Sequence, residues 1–140
     1  MNSEEQEALQ TLMETWEESP ANTRKGFLQL KEHLEAKADA RLSFKARPGI
    51  SYSLRGACPA HDRKLFVMVD IIDDDPANRW LSVCFYGDMI SDPEERGDLI
   101  PGGLLGEDGY CFDMDEEEES LTAYLLARID EAYHSAAAGT

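Results

Sequence analysis

Residues 64–87 read Lys64-Leu-Phe-Val-Met-Val-Asp-Ile-Ile72, then Asp73-Asp-Asp-Pro-Ala-Asn78, then Arg79-Trp-Leu-Ser-Val-Cys-Phe-Tyr-Gly87. Two runs rich in β-branched and aromatic residues flank a polar connection containing Pro76, which is the pattern of a hairpin of two buried strands. Alternation sets Leu65, Val67, Val69 and Ile71 against Phe66, Met68, Asp70 and Ile72 in the first strand. In the second it sets Leu81, Val83 and Phe85 against Trp80, Ser82, Cys84 and Tyr86. Both faces are largely apolar, so the hairpin belongs at the centre of a sheet with cover on each side.

Upstream, Leu42 and Phe44 alternate with Ser43 and Lys45, Pro48-Gly49 supplies a turn, and Ile50, Tyr52 and Leu54 alternate with Ser51, Ser53 and Arg55. This reads as a half-exposed hairpin. Before it lie two amphipathic helices. The first opens on a Ser3/Gln6 capping box and runs to about Glu17, where Ser19-Pro20 interrupts it. The second covers about Ala21 to Ala38, with Phe27, Leu30 and Leu34 on one stripe.

Downstream, Asp88 to Gly109 lacks a clear period and is punctuated by Pro and Gly, as functional or mobile loops are. Leu99, Ile100, Leu104 and Leu105 argue that part of it packs down. Asp108-Gly109 turns the chain into a short strand, Tyr110 to Met114. Asp115, with Glu118 three residues on, is expected to cap a last helix whose first turn holds the acidic run Glu116 to Glu119. Residues 135–140 are expected to fray. The reading is a single α+β domain over residues 1–140, in the order α-α-β-β-β-β-β-α. It is a two-layer sandwich, with a mainly antiparallel sheet of about five strands and the N-terminal helix pair and C-terminal helix on one face.

The segment Leu42-Ser-Phe-Lys-Ala-Arg-Pro-Gly-Ile-Ser-Tyr-Ser-Leu-Arg55, the strand pair after it, and a last strand entering Leu121-Thr-Ala-Tyr-Leu-Leu-Ala-Arg-Ile-Asp-Glu-Ala-Tyr133 are similar to small bacterial domains of the YdhG and CyaY-like, frataxin-like fold. The resemblance spans about residues 20 to 134 in element order. It implies a two-layer sandwich and, as in frataxin-like members, iron binding through acidic side chains on a helix and a sheet edge. Glu4, Glu5, Glu7, Glu14, Glu17 and Glu18 are the acidic helix residues here, and none matches a family iron motif.

A net charge of −16 and a pI near 4.4 disfavour nucleic-acid phosphates and anionic lipid, so no direct nucleic-acid binding is expected. Such a charge also permits mimicry of a duplex. Neither a basic leader nor an apolar stretch of the ~18 residues a span needs is present, and a cytoplasmic protein off the membrane is the expectation. Cys58, Cys84 and Cys111 are odd in number and widely spaced, which suggests reduced, mostly buried thiols rather than a disulfide framework or zinc site. His33, His61 and His134 are scattered and no nucleophile spacing occurs, so the reading leans away from an enzyme. Asp73, Asp74 and Asp75, and the acids of the 88–109 segment, offer hard oxygen ligands without EF-hand spacing. They read as solvated turn residues, and no metal or cofactor is expected.

If the helices cover one face, Phe66, Met68, Trp80 and Tyr86 on the other need cover, at roughly 1.5–3 kcal/mol for each large side chain left in water. Three covers are open: segment 88–109 as a lid, a second copy in a homodimer, or a ligand in a cleft. Between Ala40 and Lys64 the chain carries Arg41, Lys45, Arg47, Arg55, Arg63 and Lys64 against the single acid Asp62. Lys45, Arg47 and Arg55 share a side with Ser43, Ser51 and Ser53, a donor set suited to a carboxylate or phosphate. They fit equally a solvated edge whose cations pair with the acidic helices. The leading expectation is a binding domain that contacts a protein partner or itself through the second face and segment 88–109. The alternatives are a small anionic ligand held by Arg47, Arg55, Trp80 and Tyr86, and an acidic iron binder.

Overall fold

Residues 1–139 are described by the structure, a computed structural model. Helices α1 (Ser3–Thr15) and α2 (Thr23–Glu35) precede strands β1 (Arg41–Arg47), β2 (Ser51–Ala57), β3 (Val67–Ile72), β4 (Trp80–Tyr86), β5 (Asp98–Leu104) and β6 (Glu107–Met114), and helix α3 (Glu119–Ala137) follows. The strands form one antiparallel sheet in the order β1-β2-β3-β4-β6-β5. The hairpin of residues 64–87 therefore supplies the two central strands.

The sheet has six strands rather than five because segment 88–109 contributes β5. Asp98, Leu99 and Ile100 pair with Cys111, Tyr110 and Gly109 before the ladder shifts register at Pro101-Gly102-Gly103. Three paired residues ending on a proline and two glycines are too few to print a period of two. The segment is thus an edge strand and its approach, not a lid.

Helix starts differ as well. Asn2, not Ser3, caps α1, its side chain accepting from the Glu5 N–H at 2.8 Å. Helix α3 opens at Glu119, so only Glu119 of the acidic run lies in its first turn. Glu117 instead donates its N–H to the Ala21 carbonyl at 2.8 Å, which binds the approach to α3 to the α1–α2 connection.

Packing follows the pleat. Val67, Val69 and Ile71 of β3, Leu81, Val83 and Phe85 of β4, and Phe112 and Met114 of β6 have no solvent exposure. They share a core with Phe27, Leu30 and Leu34 of α2 and Leu125 and Ile129 of α3. Phe66 joins them, which corrects its expected place on the second face. It is fully buried and meets Tyr133 of α3 edge-on at 5.8 Å. Gly56 makes this possible: the Phe66 N–H bonds its carbonyl at 2.7 Å, and a Cβ there would sit 3.0 Å from the Phe66 ring.

At the far end of the central hairpin, Asp73 and Arg79 form a buried ion pair on the helix side, with Nε 2.7 Å from Oδ1. The Gly49 N–H reaches Asp73 Oδ2 at 2.8 Å from a turn where Gly49 has φ +84°, which a Cβ would strain. The Thr23 hydroxyl donates to the Arg79 carbonyl at 2.7 Å, and the guanidinium lies over Trp16 and Tyr52 at 5.8 and 5.7 Å. One pair of charges thus ties both hairpins to the start of α2. Burial by itself would raise the Asp73 pKa, but the Arg79, Gly49 and Tyr52 hydrogen bonds outweigh it and hold it below the usual carboxylate range.

Candidate functional site: the uncovered face of the sheet

Side chains that alternate with the core point away from all three helices. Register places them in rows across the strands. One row runs Lys45, Ser53, Asp70, Ser82 and Asp113. A second runs Ser43, Arg55, Met68, Cys84, Cys111 and Asp98. A third runs Arg47, Ser51, Ile72 and Trp80. Each of the first two has a cation on β1 or β2 and a carboxylate on β6 or β5.

The middle of the face is mixed: Met68, Ile72 and Trp80 are partly open to solvent, and the polar pair Asp70–Ser82 lies between Met68 and Ile72. Lys45 and Arg47 at one margin and Asp98 and Asp113 at the other are exposed. Among the described residues neither Lys45 nor Arg47 forms an ion pair, so the basic margin does not pair with the acidic helices. Arg63, by contrast, is engaged. It grips Asp88 and Glu107 at 2.6 and 2.9 Å and lies 4.1 Å from the Tyr86 ring centroid.

Asp70 sits in the middle of the first row with Oδ1 buried and unpartnered. Burial raises its pKa, against the Ser53 hydrogen bond and the fields of Arg55 and Arg47. Asp113 is raised too, by burial and by the neighbouring charges of Asp98 and Asp115. Asp98, Asp113 and Asp115 thus gather at the β5–β6 margin, and among the described residues none of these three forms an ion pair, whereas Glu107 of β6 is held by Arg63.

Cys84 and Cys111 are direct register partners and are bonded to each other on this face, while Cys58 stays a buried free thiol. This corrects the expectation of three reduced thiols. The two lie 27 residues apart, and only the return of β6 beside β4 brings them together.

The expected ligand set does not assemble as one cleft. Arg55 neighbours Met68, but Trp80 and Tyr86 stand at opposite ends of β4, roughly 20 Å apart. Tyr86 is 2% exposed beneath Arg63. A cleft of about 490 Å³ does open beside it, lined by Arg63, Gly87, Asp88, Leu99, Glu107, Asp108 and Tyr110. Its cation is already neutralised. Among the described residues no group of three or more His, Cys, Asp or Glu is placed to hold a metal ion, and no helix is long and apolar enough to cross a membrane.

Both sheet edges are guarded. Helix α1 runs beside β1, and Glu5 of α1 accepts the outward Phe44 N–H at 2.8 Å. On the other edge Pro101 removes a donor and the register shift breaks the ladder. Sequence reasoning found the basic margin and the apolar side chains of the face. It missed the acidic margin, because Asp98 and Asp113 become neighbours of Cys111 and Ser82 only through the non-sequential β4-β6-β5 order. Compared with protein-family models, curated proteins and solved structures, the chain matches none of them.

Proposed function

We propose that this chain is a protein-binding domain whose working surface is the uncovered face of its sheet. The observation that carries the reading is the contrast between guarded edges and an unguarded face: strand addition is blocked at β1 and β5, while Met68, Ile72 and Trp80 lie half-open between two charged margins. Apolar side chains rimmed by charge are the general form of a protein contact, with the apolar groups giving affinity and the rim giving orientation; here the Asp70–Ser82 row divides Met68 from Ile72 and Trp80. The adjoining hairpin adds to it, since Ile100 and Leu105 are among the chain's few large hydrophobic residues left in water, at 43% and 53% exposure.

A photo-crosslinking residue at position 68, compared with one at Glu32 on the outer side of α2, tests this in cells producing the full chain. A discrete adduct is expected from position 68 alone, and it should disappear when Lys45→Glu is added. Adducts of equal yield from both positions, or none from position 68, overturn the reading.

A further inference from the structure

The geometry points to a second copy of this chain as the occupant of the face, stacked sheet to sheet about a two-fold axis that runs along the strands between β3 and β4. This rests on the proposal that the face is a contact surface, and it adds the partner and the register. A rotation about that axis lays β1 over β5, β2 over β6 and β3 over β4 of the other copy, in the aligned packing that twisted sheets adopt.

Charge follows the same operator. Lys45 of one copy arrives within one strand of Asp113 of the other, because both belong to the row through Asp70 and Ser82. Arg55 arrives beside Asp98 in the row through Met68 and Cys84. Each contact occurs twice. A face with cations on one margin and carboxylates on the other is complementary to itself only under a rotation that exchanges the margins, and this one does.

Two further observations fit. The rotation sets Ile72 of one copy against Trp80 of the other, two apolar side chains that are partly open to solvent in the single chain. Area is sufficient as well. Six strands spaced about 4.8 Å apart and rising about 3.3 Å per residue span a face of roughly 500–600 Å². Two such faces reach roughly 1,000–1,200 Å², the lower bound of a specific interface.

The test is the mass of the purified full chain by light scattering and sedimentation, for the wild type, Lys45→Glu, Asp113→Lys and the double variant. Lys45 and Asp113 are exposed, so these changes leave the fold intact. A dimer is expected, weakened by about tenfold or more in each single variant and restored in the double variant, where the charges are exchanged across the axis. A wild type that stays monomeric at about 0.1 mM, where any micromolar association is populated, overturns the dimer. A dimer indifferent to both single changes overturns this geometry. If the chain is monomeric yet position 68 still gives its discrete adduct, the contact surface stands and its occupant is another protein.

Discussion

On the helix side of β3 and β4, Val67, Val69, Ile71, Leu81 and Val83 lose all contact with solvent, whereas one residue along the same strands Met68, Ile72 and Trp80 keep part of theirs. The two faces share a backbone and a register, and both carry large apolar side chains, although only the open one has Asp70 and Ser82 at its centre. What separates them is where the helices lie, and so apolar character by itself does not say which side of a strand is core. The two carboxylates differ in their donors: on the covered side Asp73 takes bonds from Arg79 and the Gly49 N–H, although Arg79 Nη1 is itself buried without a partner, while on the open side Asp70 Oδ1 has none.

The largest break in this comparison is expected at the buried pair. Arg79→Ala strands the Asp73 carboxylate among Tyr52, Gly49 and the hairpin ends, and removing one partner of such a pair costs about 3–5 kcal/mol. Denaturant unfolding at neutral pH measures it. The pH dependence has a definite sign. Because the folded pKa of Asp73 is held low, its contribution is fully present above the ordinary Asp value near ~3.9 and is lost as pH falls through the folded value. The gap between wild type and Asp73→Asn should therefore narrow on acidification. A gap that widens there would show that the carboxylate is not stabilised by its partners.

Next comes a direct comparison of neighbours. Leu81→Ala opens a cavity in the core and is expected to cost about 2–5 kcal/mol. Trp80→Ala, one residue away on the other face, should cost less than half of that when measured on dilute protein, despite removing the larger side chain. Equal costs would mean that both faces are core.

The sequence made the central hairpin and its alternation legible because β-branched runs of six and seven residues print a period of two. It made the basic margin legible because Arg41, Lys45, Arg47 and Arg55 are close in the chain. Phe66 broke the alternation at Gly56, where the absence of a side chain lets the ring turn inward. The Cys84–Cys111 bond, the sixth strand and the acidic margin all depend on β6 returning to pair with β4 ahead of β5, a long-range choice no local pattern records. The run Asp115 to Glu118 looked like a helix start because its composition suits one, yet Glu117 is drawn away by the Ala21 carbonyl.

The Cys84–Cys111 bond gives a third measurement, on the open face. It closes a loop with a sequence separation of 27, for which the chain-entropy relation gives about 3.5 kcal/mol. Cys84→Ser with Cys111→Ser, or reduction by a thiol reagent, should lower stability by about that amount and leave the helix-side core unchanged by near-ultraviolet circular dichroism. No loss on reduction would mean that the strands are held together there without the bond.

The smallest effect has the opposite sign and separates the faces most directly. Asp70 is raised in pKa because burial outweighs the Ser53 hydrogen bond and the fields of Arg55 and Arg47, so its ionised form is disfavoured in the fold. A carboxyl of this kind leaves the protein most stable below the unfolded Asp value and lowers stability as pH climbs through the raised folded value, after which the loss is constant. Asp70→Asn keeps the shape and removes the charge, so it should be more stable than the wild type at neutral pH and equal to it in acid. On the covered face the same exchange at Asp73 destabilises, because that carboxylate is surrounded by donors aimed at it. If Asp70→Asn instead weakened the fold at neutral pH, Arg47 and Arg55 would be holding the charge more firmly than burial opposes it, and the open face would be a satisfied ionic surface rather than an unfinished one.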